Sequence, residues 1–219
     1  MSTAGKKEGR ARKGGKRGIV NLSPHKTLII FRPVKQNFIT QSFGIKGTKA
    51  SLLSMYQSLG LIAHNGIDFA CQDKVPVYFN VDGRGTIIGQ YIDKNGGLGL
   101  DIVTEDKDGK FKHRYWHLHS FKCSVGDIVE SGDLIALADN TGLSTGPHVH
   151  YGLKPVYLDD KGNYKNTEQN NGFWGAIDPA PYFKNIYIID HMKILLGTTI
   201  LLKKQLVGIL QKLLKLIKK

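Results

Sequence analysis

Five short runs rich in β-branched and aromatic residues, Thr27–Phe31, Val75–Val81, Gly85–Ile92, Leu100–Thr104 and Lys112–His117, dominate the middle of the chain. Turn signals separate them at Asp82-Gly83, Asn95-Gly96-Gly97 and Asp108-Gly109. Many short strands with tight connections predict a mainly β protein built on antiparallel pairing. Two further segments, Val125-Gly126-Asp127-Ile128-Val129 and Ser131-Gly132-Asp133-Leu134-Ile135-Ala136, each carry a Gly-Asp pair followed by apolar residues. Asp127 and Asp133 each follow a glycine, a setting in which Asp hydrogen-bonds its own backbone, so neither is assigned a catalytic role. Within Lys46 to Ala63, Leu52, Leu53, Met55, Tyr56 and Leu59 can share one face of a short helix.

The chemistry-bearing residues lie in two distant segments, His64-Asn65-Gly66-Ile67-Asp68 and Gly146-Pro147-His148-Val149-His150. A catalytic zinc takes three ligands from His, Asp or Glu and keeps one position open for water. His64, Asp68 and one of His148 or His150 make such a set. If residues 148 to 151 form a strand, the two histidines point to the same face with Cα atoms ~6.6 Å apart. One can then bind metal while the other faces the water, whose pKa the metal lowers from roughly 15.7 to about 7. A lone His-x-His is an ordinary polar pair in many chains. A third histidine, in Tyr115-Trp116-His117-Leu118, adds to the pattern.

These segments and their flanks resemble the lysostaphin and LytM type of zinc metalloendopeptidase, from roughly Phe38 to Phe183. The resemblance begins at Ile39-Thr40-Gln41-Ser42-Phe43-Gly44 and runs through His64-Asn65-Gly66-Ile67-Asp68-Phe69-Ala70, Val75-Pro76-Val77-Tyr78 and Tyr115-Trp116-His117-Leu118. It closes with Asn140-Thr141-Gly142-Leu143-Ser144-Thr145-Gly146-Pro147-His148-Val149-His150-Tyr151. It implies a curved antiparallel β-sheet whose groove carries one Zn2+ held by His64, Asp68 and His150. It also implies that His117 and His148 are catalytic, sharing the general-base and transition-state roles, and that the substrate is a peptide cross-link of bacterial peptidoglycan. Two positions depart from the usual pattern. His119 is expected at the surface, because the ligand set is complete without it, and Gly152 stands where the family often has an acidic residue. The Lys46–Ala63 insertion is expected to wall the groove, and Asp159 to Gly172 to form a surface loop. Cys71 and Cys123 are expected as small core residues.

The net charge of +13 resides in the tails. Residues 1–18 carry seven Lys or Arg against Glu8, residues 191–219 carry seven Lys and no acid, and the remainder carries seventeen of each sign. Terminal charge of this kind indicates non-specific attraction to a polyanion and no specific nucleic-acid recognition. The expected organisation is a basic disordered tail over 1–18, a leading strand segment over 19–37, the metallopeptidase domain over 38–183, and a cationic amphipathic α-helix over 184–219. In that helix Leu202, Leu206, Ile209, Leu210, Leu213 and Ile217 oppose Lys204, Lys212, Lys215 and Lys219. Such a helix suits an anionic membrane or cell-envelope surface and is too interrupted by lysine to span one. No secretory signal is visible after the basic start, so the expected setting is a phage or prophage lysin. Such a protein is made in the cytoplasm and acts at the wall or periplasm after release, or is carried on a virion. The competing classes are a non-catalytic wall-binding module on the same scaffold, which would lack ligands, and a membrane-active protein driven by its tails.

Overall fold

The computed structural model describes residues 28–35, 38–94, 96–107, 109–142 and 144–187. The basic tail expected over 1–18, and the amphipathic helix and its membrane contact beyond residue 187, lie outside the described residues. Strands β1 (Ile30–Arg32) and β2 (Ile39–Gln41) lead into two short helices, α1 (Gly44–Gly47) and α2 (Ala50–Ser58). Then come β3 (Ile67–Ala70), β4 (Pro76–Tyr78), β5 (Arg84–Ile92), β6 (Leu98–Asp106) and β7 (Gly109–Phe121). The chain continues through β8 (Ile128–Glu130), β9 (Leu134–Ala138), β10 (His148–Leu158), β11 (Tyr164–Asn166) and β12 (Phe183–Tyr187).

One sheet runs in the order β2-β3-β10-β7-β6-β5-β8, with β9 joined to β4 and β7, and β11 to β10. Every pairing within it is antiparallel. The sequence signals account for this closely. The turn through Gly96 and Gly97 joins β5 to β6, with Gly96 at φ 78°, a left-handed conformation that glycine adopts without steric conflict. The two turn aspartates act on their own backbone: Asp127 Oδ2 accepts from Ser124 N–H at 2.8 Å and Asp133 Oδ2 from Glu130 N–H at 2.7 Å. Cys71 and Cys123 are free thiols packed against the core.

Alternation along β7 and β10 gives the sheet two chemically distinct faces. Phe111, His113 and Tyr115 of β7, with Val149, Tyr151 and Leu153 of β10, are buried toward the core. Tyr151 Oη lies 2.6 Å from His113 Nδ1, whose Nε2 meets Thr104 Oγ1 at 2.8 Å, and Tyr115 donates its hydroxyl to Asn80 Oδ1. These five buried polar side chains are thereby satisfied.

Two expectations need correction. Residues 184–187, expected to open a helical tail, continue strand β12, which pairs with β1 in parallel. The pairing also builds the leading segment into the same core, where Leu28, Ile30, Phe31 and Val34 are buried. Full burial of each such side chain contributes about 1.5–3 kcal/mol. The stretch 159–172, expected as a loop, holds the three-residue β11, because Tyr164–Asn166 can complete a hairpin with the free end of β10. Among the described residues, no helix is long and apolar enough to cross a membrane.

Candidate metal centre and groove

His150 and Asp68 are directly opposite one another on adjacent strands, β10 and β3, so the ladder itself brings an imidazole against a carboxylate. His64 enters from the loop before β3, four residues ahead of Asp68, and its backbone is fixed from both sides. Its N–H donates to Thr48 Oγ1 at 2.9 Å and its carbonyl accepts from Gly44 N–H at 2.9 Å. Three side-chain atoms then converge: His64 Nε2 to His150 Nδ1 is 2.9 Å, His150 Nδ1 to Asp68 Oδ1 3.0 Å, and His64 Nε2 to Asp68 Oδ1 3.1 Å.

A tetrahedral ion with ligands at 2.0–2.1 Å needs donor atoms about 3.3–3.4 Å apart, so this triangle is close to the size of one zinc coordination face. The protonation states also suit a metal. Burial raises the Asp68 carboxyl, but the His150 and His64 imidazoles beside it override that and hold it well below the usual carboxylate range. Burial lowers the His150 imidazole to about 4 against the opposing pull of Asp68, leaving it neutral at pH 7. His64 Nδ1 lies 2.9 Å from the Ser42 carbonyl, which can only accept, so the proton sits there and Nε2 offers its lone pair to the centre. The group His64, Asp68 and His150 can therefore hold a metal ion.

The glycine of His-Asn-Gly-Ile-Asp has a steric reason. A Cβ on Gly66 would lie 2.5 Å from the Tyr151 carbonyl oxygen and 2.7 Å from His150 Nε2. Any side chain there would push the His150 ring off its position.

His117 and His148 face the same space, with ring centroids 4.4 Å apart, and His117 is 6.4 Å from His150 by the same measure. Each is anchored through Nδ1: His117 on the Thr141 carbonyl at 2.7 Å, His148 on the Gly146 carbonyl at 2.8 Å. In both rings Nε2 is left for the groove, and His148 Nε2 lies 3.7 Å from Asp68 Oδ1. Burial, with His148 beside it, keeps the His117 pKa below its ordinary value. Strict alternation would have sent His117 into the core after Phe111, His113 and Tyr115. Its φ of 62° breaks the alternation, and the pairing with β6 and β9 shifts register around Leu118. This is a β-bulge that re-aims one side chain, in a backbone conformation uncommon outside glycine.

All five residues expected at the site meet in one groove of about 610 Å³. His119, expected at the surface, is 39% exposed in its side chain and pairs with Asp139 Oδ2 at 2.8 Å. The insertion does form a wall, with Leu52, Met55, Tyr56 and Leu59 of α2 and its end lining the groove. Tyr56 has more to offer than an apolar surface. Gln41 Nε2 donates to its hydroxyl oxygen at 2.6 Å, which leaves the phenolic proton available, and burial with nearby Asp68 pushes its pKa up to about 12. The floor of the groove beyond His150 holds Gly152, Arg114 and Lys154, and Trp174 lies at its edge. No motif pointed to Tyr56, Arg114 or Lys154, although the second and third stand on the groove-facing parity of their strands.

The sequence profile of Peptidase family M23 matches residues 62–167, a span that holds all five histidine and aspartate positions. Residues 62–167 are a peptidase family M23 domain of the lysostaphin type. The chain is 33% identical over 122 residues to the glycyl-glycine endopeptidase ALE-1 of Staphylococcus capitis, covering 56% of this chain and 29% of that one. It is 37% identical over 91 residues to the peptidoglycan DD-endopeptidase ShyB of Vibrio cholerae, covering 42% of this chain and 20% of the other. Among solved structures, a zinc-containing peptidase from Vibrio cholerae shares 33% identity, with a TM-score of 0.45 over 56% of this chain and 35% of that one. The chain thus spans less than a third of the length of either curated relative.

Proposed function

We propose that the chain is a zinc-dependent endopeptidase that hydrolyses peptide cross-links of bacterial peptidoglycan. The observation that carries this reading is the triangle of His64 Nε2, Asp68 Oδ1 and His150 Nδ1 with sides of 2.9–3.1 Å, faced by two further imidazoles. The relatives named as glycyl-glycine and DD-endopeptidases support the substrate class.

Zinc held by His64, Asp68 and His150 would supply the Lewis acidity that polarises a peptide carbonyl and activates a water. The remaining work falls to this chain's own groups. His117 and His148 hold their Nδ1 protons on backbone carbonyls and keep Nε2 free to take a proton from the attacking water and return it to the leaving amine. The Tyr56 hydroxyl, protonated at neutral pH, can donate toward negative charge developing on the substrate oxygen. The wall made by α2 shields one side of the groove from water. The substrate lies outside the cytoplasmic membrane, so the proposal includes action at the wall or in the periplasm, in the manner of a phage or prophage lysin.

The test is turbidity clearance of purified cell walls by the zinc-loaded protein, with fragments read by mass spectrometry. Clearance is expected to stop with a chelator, to return with zinc, and to be missing in His150→Ala. Clearance that survives both treatments overturns the proposal, and a zinc-loaded protein that cleaves no wall or peptide favours the non-catalytic wall-binding reading.

A further inference from the structure

Beyond the metal centre, the groove floor carries more positive charge than it neutralises. Arg114 of β7 is satisfied: its Nε and Nη2 bind the two oxygens of the buried Asp101 at 2.7 and 2.6 Å, and Tyr91 and Trp116 flank its guanidinium at 5.6 and 5.8 Å from their ring centroids. Lys154 is not. Its residue is 4% exposed, its Nζ donates to the Trp174 carbonyl at 2.7 Å, and among the described residues no carboxylate lies within ion-pair distance of it. Lys112 stands directly opposite it across the β10–β7 ladder. Three cations therefore gather around one carboxylate that is already engaged by Arg114.

Arg114 and Lys154 both line the groove, and two features shape how Lys154 meets it. Gly152, between His150 and Lys154 on the same face of β10, presents no side chain, although a Cβ there would meet only ordinary contacts at 3.6–3.8 Å. Nothing steric requires the glycine, so its effect is to leave the path from the metal centre to Lys154 clear. Trp174 is held at φ 54° by a loop in which Asn171 Oδ1 accepts from both Phe173 and Gly175 N–H at 2.9 Å. That unfavourable conformation aims its carbonyl at Lys154. Burial, aided by Arg114 and Lys112, brings the Lys154 amine down to about 7, so an anion placed against it restores the charged form.

We propose that this end of the groove is a carboxylate subsite, in which Lys154 binds a free carboxylate of the substrate peptide within about four extended residues of the scissile bond, a span set by the ~13 Å between the Cα atoms of His150 and Lys154. The inference rests on the peptidase reading above for the identity of the ligand, but its test does not depend on turnover. The carboxylate can belong to a side chain or to a chain end, and the test separates the two.

The probes are four synthetic cross-linked peptides with a reduced, non-cleavable scissile bond: both carboxylates free, the side-chain one amidated, the terminal one amidated, and both amidated. Their Kd values are measured by calorimetry on the zinc-loaded full chain. Amidating one of the two carboxylates is expected to weaken binding at least about tenfold, the size of a lost charge-assisted contact, and which one does so names the source. In Lys154→Met the preference is expected to collapse to within about twofold. Gly152→Glu, which removes no buried group and supplies a resident carboxylate, is expected to abolish it as well. Equal Kd values for all four peptides, no binding of the doubly free peptide at millimolar concentration, or a preference kept in both variants overturns the subsite. A preference that is present while the cleavable peptides remain uncut leaves the subsite standing and removes the endopeptidase reading instead.

Discussion

His113 and His117 stand four residues apart on β7, and the sheet uses them in opposite ways. His113 faces the core, fully buried, with Nδ1 against Tyr151 Oη and Nε2 against Thr104 Oγ1. His117 faces the groove with Nδ1 held by a carbonyl and Nε2 unengaged among the described contacts. Both are lowered in pKa by burial, His113 to about 3. What separates the core histidine from the groove histidine here is neither burial nor titration. It is whether one ring nitrogen has been left open toward a cavity that a substrate can enter.

Substitutions on the groove side are expected to have the largest effects. Asp68→Ala and His150→Ala are each expected to lose stoichiometric zinc, measured by elemental analysis, and to lose peptide cleavage with it. Either variant retaining both would show that the triangle is not a metal centre. His117→Ala and His148→Ala are expected to keep zinc and fold while kcat falls by about 10²–10⁴, the usual contribution of a positioned acid–base group.

From the core side the same strands should report stability alone. Tyr151→Phe leaves a ring nitrogen of His113 without its partner and is expected to lower unfolding free energy by about 1–3 kcal/mol in urea, with kcat unchanged where the protein is folded. A fall in kcat without a fall in stability would make Tyr151 part of the groove chemistry. The pH dependence follows from the sign of the His113 shift. Its folded pKa is depressed from the ordinary 6.5 to about 3, so the unfolded chain binds the proton more tightly. The contribution is fully present above pH 6.5 and is lost as pH falls toward 3. The urea midpoint should drop through that window, and His113→Gln should flatten the slope. Smallest of all, His119→Ala should stay within about 0.5 kcal/mol of the parent with normal kcat, since the ring is exposed and paired only with Asp139.

Much of this was legible in the chain. The strands from Gly85 to His117 and their glycine turns are local signals, and the two histidines of His148-Val149-His150 share a face because a strand alternates. The turn roles of Asp127 and Asp133 were legible for the same reason. What was not legible depends on distant partners. The sequence around Tyr115-Trp116-His117 reads as an unbroken alternation, and only the pairing of β7 with both β6 and β9 forces the bulge that turns His117 outward. The parallel closure of β1 on β12 joins segments about 150 residues apart with no turn to announce it. Lys154 and Arg114 carried no motif, and their meaning comes from Asp101 and Trp174 reaching them from other elements. The tails, which hold all of the net charge, gain no structural counterpart among the described residues.

The direct opposition of His150 and Asp68 has a consequence for how an active molecule arises. Along β10 the groove and the core claim alternate residues, so sliding this strand by one position would exchange His148 and His150 for Val149 and Tyr151 on every surface at once. A slipped chain would bury two imidazoles among apolar side chains and present an aliphatic floor where the ligands belong. No graded intermediate lies between those two registers. In a refolded sample, the fraction of molecules able to bind the ion is therefore expected to count those whose central strand found its correct neighbour.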